Sequence, residues 1–314
     1  MVSDSVEKPT SEARPRYAPR KAKSYDTDKL HQYVVPDLSM QDLLSAIPTQ
    51  CFRRSTLHSS MYVMIDFAQA AVLFYAASWI DPLTQDMHWS FLSMSEESTR
   101  SALRFILWGL YSFCQGLVFT GIWVLAHECG HQAFSPSKFI NNTVGWFLHS
   151  ALLVPYHSWR ISHARHHAAT GHMTRDEVFV PSTREERGLL PLRPVTDDSP
   201  VVTDKTTWSE WLAELLEDAP LYNLLELIIQ QLFGWQLYLL FNVSGQKHYP
   251  RYTNHFMPNS VIFDKRHRNQ IIMSNVGILL TLTVLWTWAR HASNGWFDVM
   301  RYYGIPYVWT CLLY

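Results

Sequence analysis

LRFILWGLYSFCQGLVFTGIWVLA, residues 103–126, runs without a break into His127-Glu128-Cys129-Gly130-His131. The first part is apolar over a length that can cross a bilayer, because about twenty helical residues, each rising about 1.5 Å, cover a hydrocarbon core about 30 Å thick. The second part sets two histidines four apart, on one face of the same helix and at its mouth. Neutral imidazole is the commonest metal ligand, and a pair so placed can grip one ion. A membrane helix ending in a metal-binding pair is the frame for the rest of the chain.

Outward from it lie other apolar runs. Met61–Ile80, with Asp66 and Gln69 inside it, and Ile271–Ala289 are further crossing candidates. Tyr302–Tyr314 would climb only about 20 Å as a helix, so it is expected to be a partial crossing within which the chain stops. Val144–Tyr156 is too short to cross and is expected to dip into the cytosolic leaflet or pack on helix ends. In Leu224–Phe241 the polar Glu226, Gln230 and Gln231 recur at near-helical spacing, the pattern of an amphipathic helix lying on the membrane surface. Ser182–Asp204, with its prolines and mixed charges, reads as an exposed loop.

Charge gives the sidedness. Residues 1–45 read as a cytosolic tail, basic through Tyr25 (Arg14, Arg16, Arg20, Lys21, Lys23), and no apolar run follows it closely enough to make a signal peptide. Asp81, Asp86, Glu96 and Glu97 face only Arg100 in the loop between the first two crossings, whereas Lys138, Arg160 and Arg165 follow the second. The positive-inside rule then places the tail and the histidines in the cytosol and the acidic loop in the lumen. Hydrophobic residues make up 47% of the chain, an ordinary share, so the bunching carries the membrane signal; aromatics at 14% suit belts at the two interfaces. A net charge of −1 argues against nucleic acid as a partner. Cys51, Cys114, Cys129 and Cys311 are far apart and form no CxxC pair, which fits thiols in a reducing compartment.

A second cluster, His163-Ala164-Arg165-His166-His167, follows on the same predicted side. On a helix His163 and His167 share a face with His166 beside it. Five histidines in two tight groups point to a polynuclear metal site. His149 and His157, between the groups, read as structural; His172 is open to either reading. A rival remains, since His127-Glu128-x-x-His131 also has the H-E-x-x-H form of zinc proteases with Glu128 as general base. Such a protease needs no second histidine cluster and does need another ligand, and no obvious carboxylate stands in a later crossing.

The two groups carry a family resemblance. His127 to Ser135 resembles the first histidine box of membrane-bound fatty-acid desaturases of the Δ12 (oleate) type. His163 to His167, with Ala169-Thr170-Gly171-His172-Met173-Thr174-Arg175-Asp176 after it, resembles the second box of fungal members; Gly245 to Tyr252 and Tyr303 to Tyr307 are similar to the fungal version too. The likeness runs from about Pro36 to Ile305. It implies an all-α integral membrane protein with a cytosolic histidine-box cap, in the endoplasmic reticulum membrane. It also implies two non-haem iron ions, O₂ as co-substrate, and electrons from NADH by way of cytochrome b5 and its reductase. The implied reaction converts oleoyl to linoleoyl on a membrane lipid. His127, His131, His163, His166 and His167 would be the iron ligands, with Glu128 and Asp176 as partners that orient the imidazoles.

Family members also carry a His-x-x-His-His box further on, which this sequence lacks; His248, His255, His267 and His291 form no such cluster. The expectation is a desaturase domain over 46–314 that is incomplete at its C-terminus, or else an inactive relative that binds lipid or a full-length desaturase. An ω3 desaturase or an acetylenase would carry the same boxes. Met257 departs from the fungal pattern. Asp66 is expected to snorkel or pack between helices rather than act chemically. Asn141-Asn142-Thr143 and Asn242-Val243-Ser244 are glycosylation sequons, which cytosolic placement would leave unmodified.

Overall fold

A computed structural model describes residues 37–86, 88, 95–183, 186, 208 and 219–313. Most of the basic tail and most of the loop expected at 182–204 lie outside these residues. Every regular element among the described residues is helical, as expected for an all-α membrane protein. The chain divides into Met1–Arg53 and Arg54–Tyr314. In the first unit, α1 (Met40–Ala46) is started by a capping box between Ser39 and Asp42, and a 3₁₀ turn follows at Thr49–Phe52.

The second unit opens with α2 (Thr56–Ser78) and the short α3 (Ile80–Gln85), then α4 (Glu96–Gly130). Ser95 caps α4, and Glu96 and Glu97 in its first turn suit the positive end of the helix dipole. After α5 (Lys138–Ala151) and α6 (Tyr156–Ala169) come α7 (Pro220–Phe241) and α8 (Arg268–His291). The short α9 (Trp296–Val299) leads through a π-helical turn, Met300–Gly304, into α10 (Ile305–Leu313).

Among the described residues, four segments are long and apolar enough to cross a membrane: Thr56–Gln85, Glu96–Gly130, Pro220–Phe241 and Lys265–His291. Three of them contain the expected crossings. Pro220–Phe241 is the departure, for it starts earlier than the expected surface helix and its length and composition match a crossing. Its polar residues alone had suggested a surface position. Val180 N–H bonds Ser244 C=O just after α7, and Tyr238 near its end bonds Ser162 of α6. The expected dip at 144–156 is the end of α5 and its turn into α6, where Leu148, Leu152, Val154 and Tyr156 are buried. It packs on helix ends, the second of the two expected outcomes.

α4 is the axis. α2, α5 and α10 pack along it. At Gly116 a Cβ would fall 2.4 Å from Trp309 Cβ, so only glycine lets α10 approach this closely. α6 begins at Pro155 without a side-chain cap, and Ser274 Oγ of α8 accepts from the N–H groups of His157 (2.9 Å) and Ser158 (3.3 Å) instead. That meets the demand of the free amides at a helix start and fixes α6 on the bundle.

The far end of α4 carries an ion-pair lock. Asp81 accepts from Arg104 (2.7 Å), Trp108 Nε1 (3.0 Å) and Arg301 (2.5 Å). Arg301 also reaches Asp298 at 3.1 Å and lies over the Trp108 ring at 4.0 Å. The lock ties α3 and α4 to the turn that starts α10.

Candidate metal centre

His127 projects from the last turn of α4 and His131 follows as its C-cap. Gln132, at φ 60°, turns the chain sharply away. His163 and His167 come from one face of α6. The four Nε2 atoms converge: His127–His163 at 2.9 Å, His131–His127 at 3.3 Å, His163–His131 at 3.2 Å and His167–His163 at 3.1 Å. The four ligand atoms all lie within 4.8 Å of one another. Nitrogens bound to one ion at about 2.1 Å stand about 3.0 Å apart in a cis-octahedral shell and about 3.4 Å apart in a tetrahedral one. The four short spacings, 2.9–3.3 Å, lie close to that range, so this donor set could hold a metal ion.

Electrostatics agree. Burial, then the neighbouring imidazoles of His127, His167 and His131, pushes His163 down to about 3. His131 is also lowered, by burial and by His127 and His167. Both rings are neutral near pH 7, with lone pairs free to bind a cation. The four imidazoles crowd together with no carboxylate among the converging atoms, and a cation would supply the opposite charge at that point.

His166 stands apart from the four. Its Nδ1 donates to both oxygens of Asp176 at 2.9 Å, leaving Nε2 as an acceptor turned away from the carboxylate. Asp176 is wholly buried. Burial raises its pKa, but the His166 bond and the N–H groups of Val178, Gly171 and Phe179 outweigh this and hold the carboxyl below its usual range. Glu128 bonds His127 Nδ1 at 3.2 Å from a half-exposed position. Both acids therefore touch the ring nitrogen opposite the one a metal would use.

His149 is fully buried among Trp123, Tyr156 and Trp159, and burial drives its pKa to about 3. His157 is lowered to about 4, again chiefly by burial. Neither joins the four, and His172 Nδ1 accepts from Thr174 N–H at 3.2 Å. Asp66 lies against Gly121, where a Cβ would be 3.0 Å from its Oδ2, in keeping with helix packing.

Sequence reasoning missed the wall behind the cluster. Trp159 stacks on His163 (4.5 Å between centroids, 21°) and Trp123 on His127 (5.4 Å, 24°). A signal was present, since each tryptophan precedes its histidine by four residues. Gly130 makes room for this wall, a Cβ there lying 2.7 Å from Trp159. Arg165, also missed, bonds Glu177 (3.0 Å), Ile262 C=O (2.7 Å) and Asp264 (2.9 Å), which pins the loop before α8 under the second histidine group.

A histidine cluster that could hold a metal ion, at the mouth of a helix long and apolar enough to cross a membrane, points to the class of membrane-bound metalloproteins. Comparison with known proteins gives the family. The fatty acid desaturase family model matches residues 103–313. A Δ12 fatty acid desaturase of Mortierella isabellina is 44% identical over 278 residues, 88% of this chain and 63% of that protein. A Δ12 fatty acid desaturase of Arabidopsis thaliana is 38% identical over 281 residues, 90% of this chain and 63% of its own length. An oleate hydroxylase of Claviceps purpurea is 37% identical over 296 residues, 88% of this chain and 56% of the relative. The chain belongs to the fatty acid desaturase family, and it spans less than two thirds of the length of these relatives.

Proposed function

We propose that this chain forms the larger part of an acyl-lipid Δ12 desaturase, which converts oleoyl to linoleoyl chains in the endoplasmic reticulum membrane. The convergence of His127, His131, His163 and His167 at the mouth of α4 is the observation that supports it most. These four would hold one iron. His166, its Nδ1 committed to Asp176, would offer Nε2 to a second. A di-iron centre with O₂ supplies an oxidant strong enough to take hydrogen from an unactivated methylene, which amino-acid side chains cannot do. Cytochrome b5, fed by NADH through its reductase, would bring the electrons from the cytosolic face.

The protein's own residues have three tasks in this reading. Asp176 and Glu128 fix tautomers, keeping a proton on Nδ1 of His166 and His127 so that Nε2 stays a lone-pair donor. Trp123 and Trp159 hold the rings of His127 and His163 from behind and keep that side dry. α8 braces α6 through Ser274.

Hydroxylation of oleate is the second reading, favoured by the likeness to the Claviceps protein. Expression in a yeast that makes no linoleate separates the two. Linoleate among the lipids is the expected product; a hydroxylated oleate would assign the second reading instead. Neither product, with the protein present in the membrane, would overturn a desaturase activity for this chain.

A further inference from the structure

On the flank of α6, away from the converging imidazoles, the loop after α7 folds around a cavity of about 170 Å³. Asn242, Gln246, Lys247 and Arg251 line it together with Phe241 and Tyr252. Asn242 caps α7 in the left-handed conformation (φ 50°) and is 6% exposed. Its backbone N–H is used, on Tyr238 C=O at 2.9 Å, but neither its side-chain oxygen nor its nitrogen has a hydrogen-bond partner among the described residues. Buried polar groups are nearly always bonded, and an orphaned amide costs about 1–3 kcal/mol. The wall beside it is rigid, because a Cβ at Gly245 would meet Asn242 Nδ2 at 2.2 Å and Glu177 C=O at 2.6 Å.

The lining is cationic. Lys247 and Arg251 contribute two positive charges, and among the described residues no carboxylate belongs to the lining. Lys247 is paired with Glu186 at 2.5 Å, whereas Arg251 has no ion pair among the described residues. The C-terminal end of α7 adds roughly half a negative charge, less than one guanidinium supplies. An orphaned amide and a spare guanidinium around one cavity suit an oxyanion. The rim is apolar: Phe241 is 44% exposed, Val243 59% and Tyr252 69%. An oxyanion attached to hydrocarbon would satisfy both the cavity and its rim.

We propose that this cavity binds the phosphate group of a membrane glycerophospholipid, with Asn242 and Arg251 on the phosphate oxygens and the acyl chains along Phe241, Val243 and Tyr252. The site is independent of the proposed reaction, for it needs neither metal nor turnover. It is mechanically joined to the histidines, however. Gln246 lines the cavity and donates to the backbone carbonyls of Asp176 (2.7 Å) and Met173 (3.2 Å), and Asp176 holds His166. A bound headgroup therefore braces the loop on which the Asp176 carboxylate is mounted.

The test titrates the full chain, purified and delipidated in a non-ionic detergent, with dioctanoylphosphatidylcholine, dioctanoylglycerol and inorganic phosphate in separate arms. Thermal shift reports binding. The phosphatidylcholine is expected to bind, and Asn242→Asp and Arg251→Gln are each expected to weaken it about tenfold. Asn242→Asp keeps the size and the left-handed backbone while placing a negative charge against the phosphate; Arg251→Gln lies on an exposed residue and leaves folding intact. Equal affinity in both variants, or diacylglycerol binding as tightly as the phospholipid, would overturn the site. Variant-sensitive binding of inorganic phosphate without binding of the phospholipid would overturn the lipid assignment in favour of a soluble phosphate.

Discussion

The two ends of α4 each hold a polar cluster, and the two are built on opposite rules. At one end Asp81 and Asp298 meet Arg104 and Arg301, so each charge finds its opposite within the protein. At the other, four imidazoles converge, each ring nitrogen within hydrogen-bond distance of at least one other and all within 4.8 Å, with no acid among the converging atoms. A self-matched cluster is complete and serves stability. A cluster of like donors leaves room for a partner from outside, and the proposed function rests on that difference. Its acids, Asp176 and Glu128, sit behind the rings and leave the centre to an incoming cation.

The contrast can be broken in order of expected effect. His163→Ala removes the nitrogen that touches three others, and bound iron, measured on the purified chain, is expected to be lost altogether with helicity unchanged. Iron retained in full would show that the convergence is incidental. Arg301→Gln is the mirror experiment: removing one partner of a largely buried pair is expected to cost about 3–5 kcal/mol of stability while leaving iron content intact. A loss of iron with no loss of stability would reverse the assignment of the two ends. Asp176→Asn keeps the shape and removes the charge behind His166, and about 10–100-fold weaker metal binding is expected from loss of an outer partner. Glu128→Gln, at a half-exposed position, should show a smaller shift in the same titration.

Acid sharpens the comparison further. His149 and His255 are fully buried, and burial lowers them to about 3 and about 4. Both are neutral in the fold, whereas an unfolded histidine takes a proton at about 6.5. The unfolded chain therefore binds more protons as pH falls through 6.5, and stability declines by up to about 1.4 kcal/mol per pH unit for each histidine until the folded values are reached. Thermal unfolding in detergent from pH 7 to pH 4 should show this decline, and His255→Gln should lessen its slope. A flat profile would contradict burial of these rings in the neutral form.

Much of this was legible in the sequence because the signals are local. Three apolar helices of crossing length and the two histidine groups depend on spacings of a few residues. What was lost depends on distance or direction. Asp81 and Arg301 are 220 residues apart, and nothing local in either says that they meet. His166 was grouped with the other four histidines by position alone; its neighbours do not reveal that Asp176 holds its ring apart from theirs. Residues 224–241 read as a surface helix because Glu226, Gln230 and Gln231 outweighed thirteen hydrophobic positions in a pattern judged on periodicity rather than on mean apolarity. The sequons lost their meaning for a physical reason. Asn141 is 1% exposed, with its amide on the carbonyls of Ser135 and Ser137, and Asn242 is buried as well, so burial as much as sidedness would leave both without sugar.

The length of α4 bears on depth. Its apolar stretch, residues 103–126, rises about 36 Å at about 1.5 Å per residue, which already exceeds a hydrocarbon core of about 30 Å before His127 is reached. The imidazoles then stand at or above the headgroup plane, about 15 Å or more from the bilayer midplane. A carbon in the middle of an acyl chain normally lies well below that plane. Any lipid chain worked on at this centre must first be drawn upward, out of its leaflet and into protein, so the work of extraction precedes the chemistry.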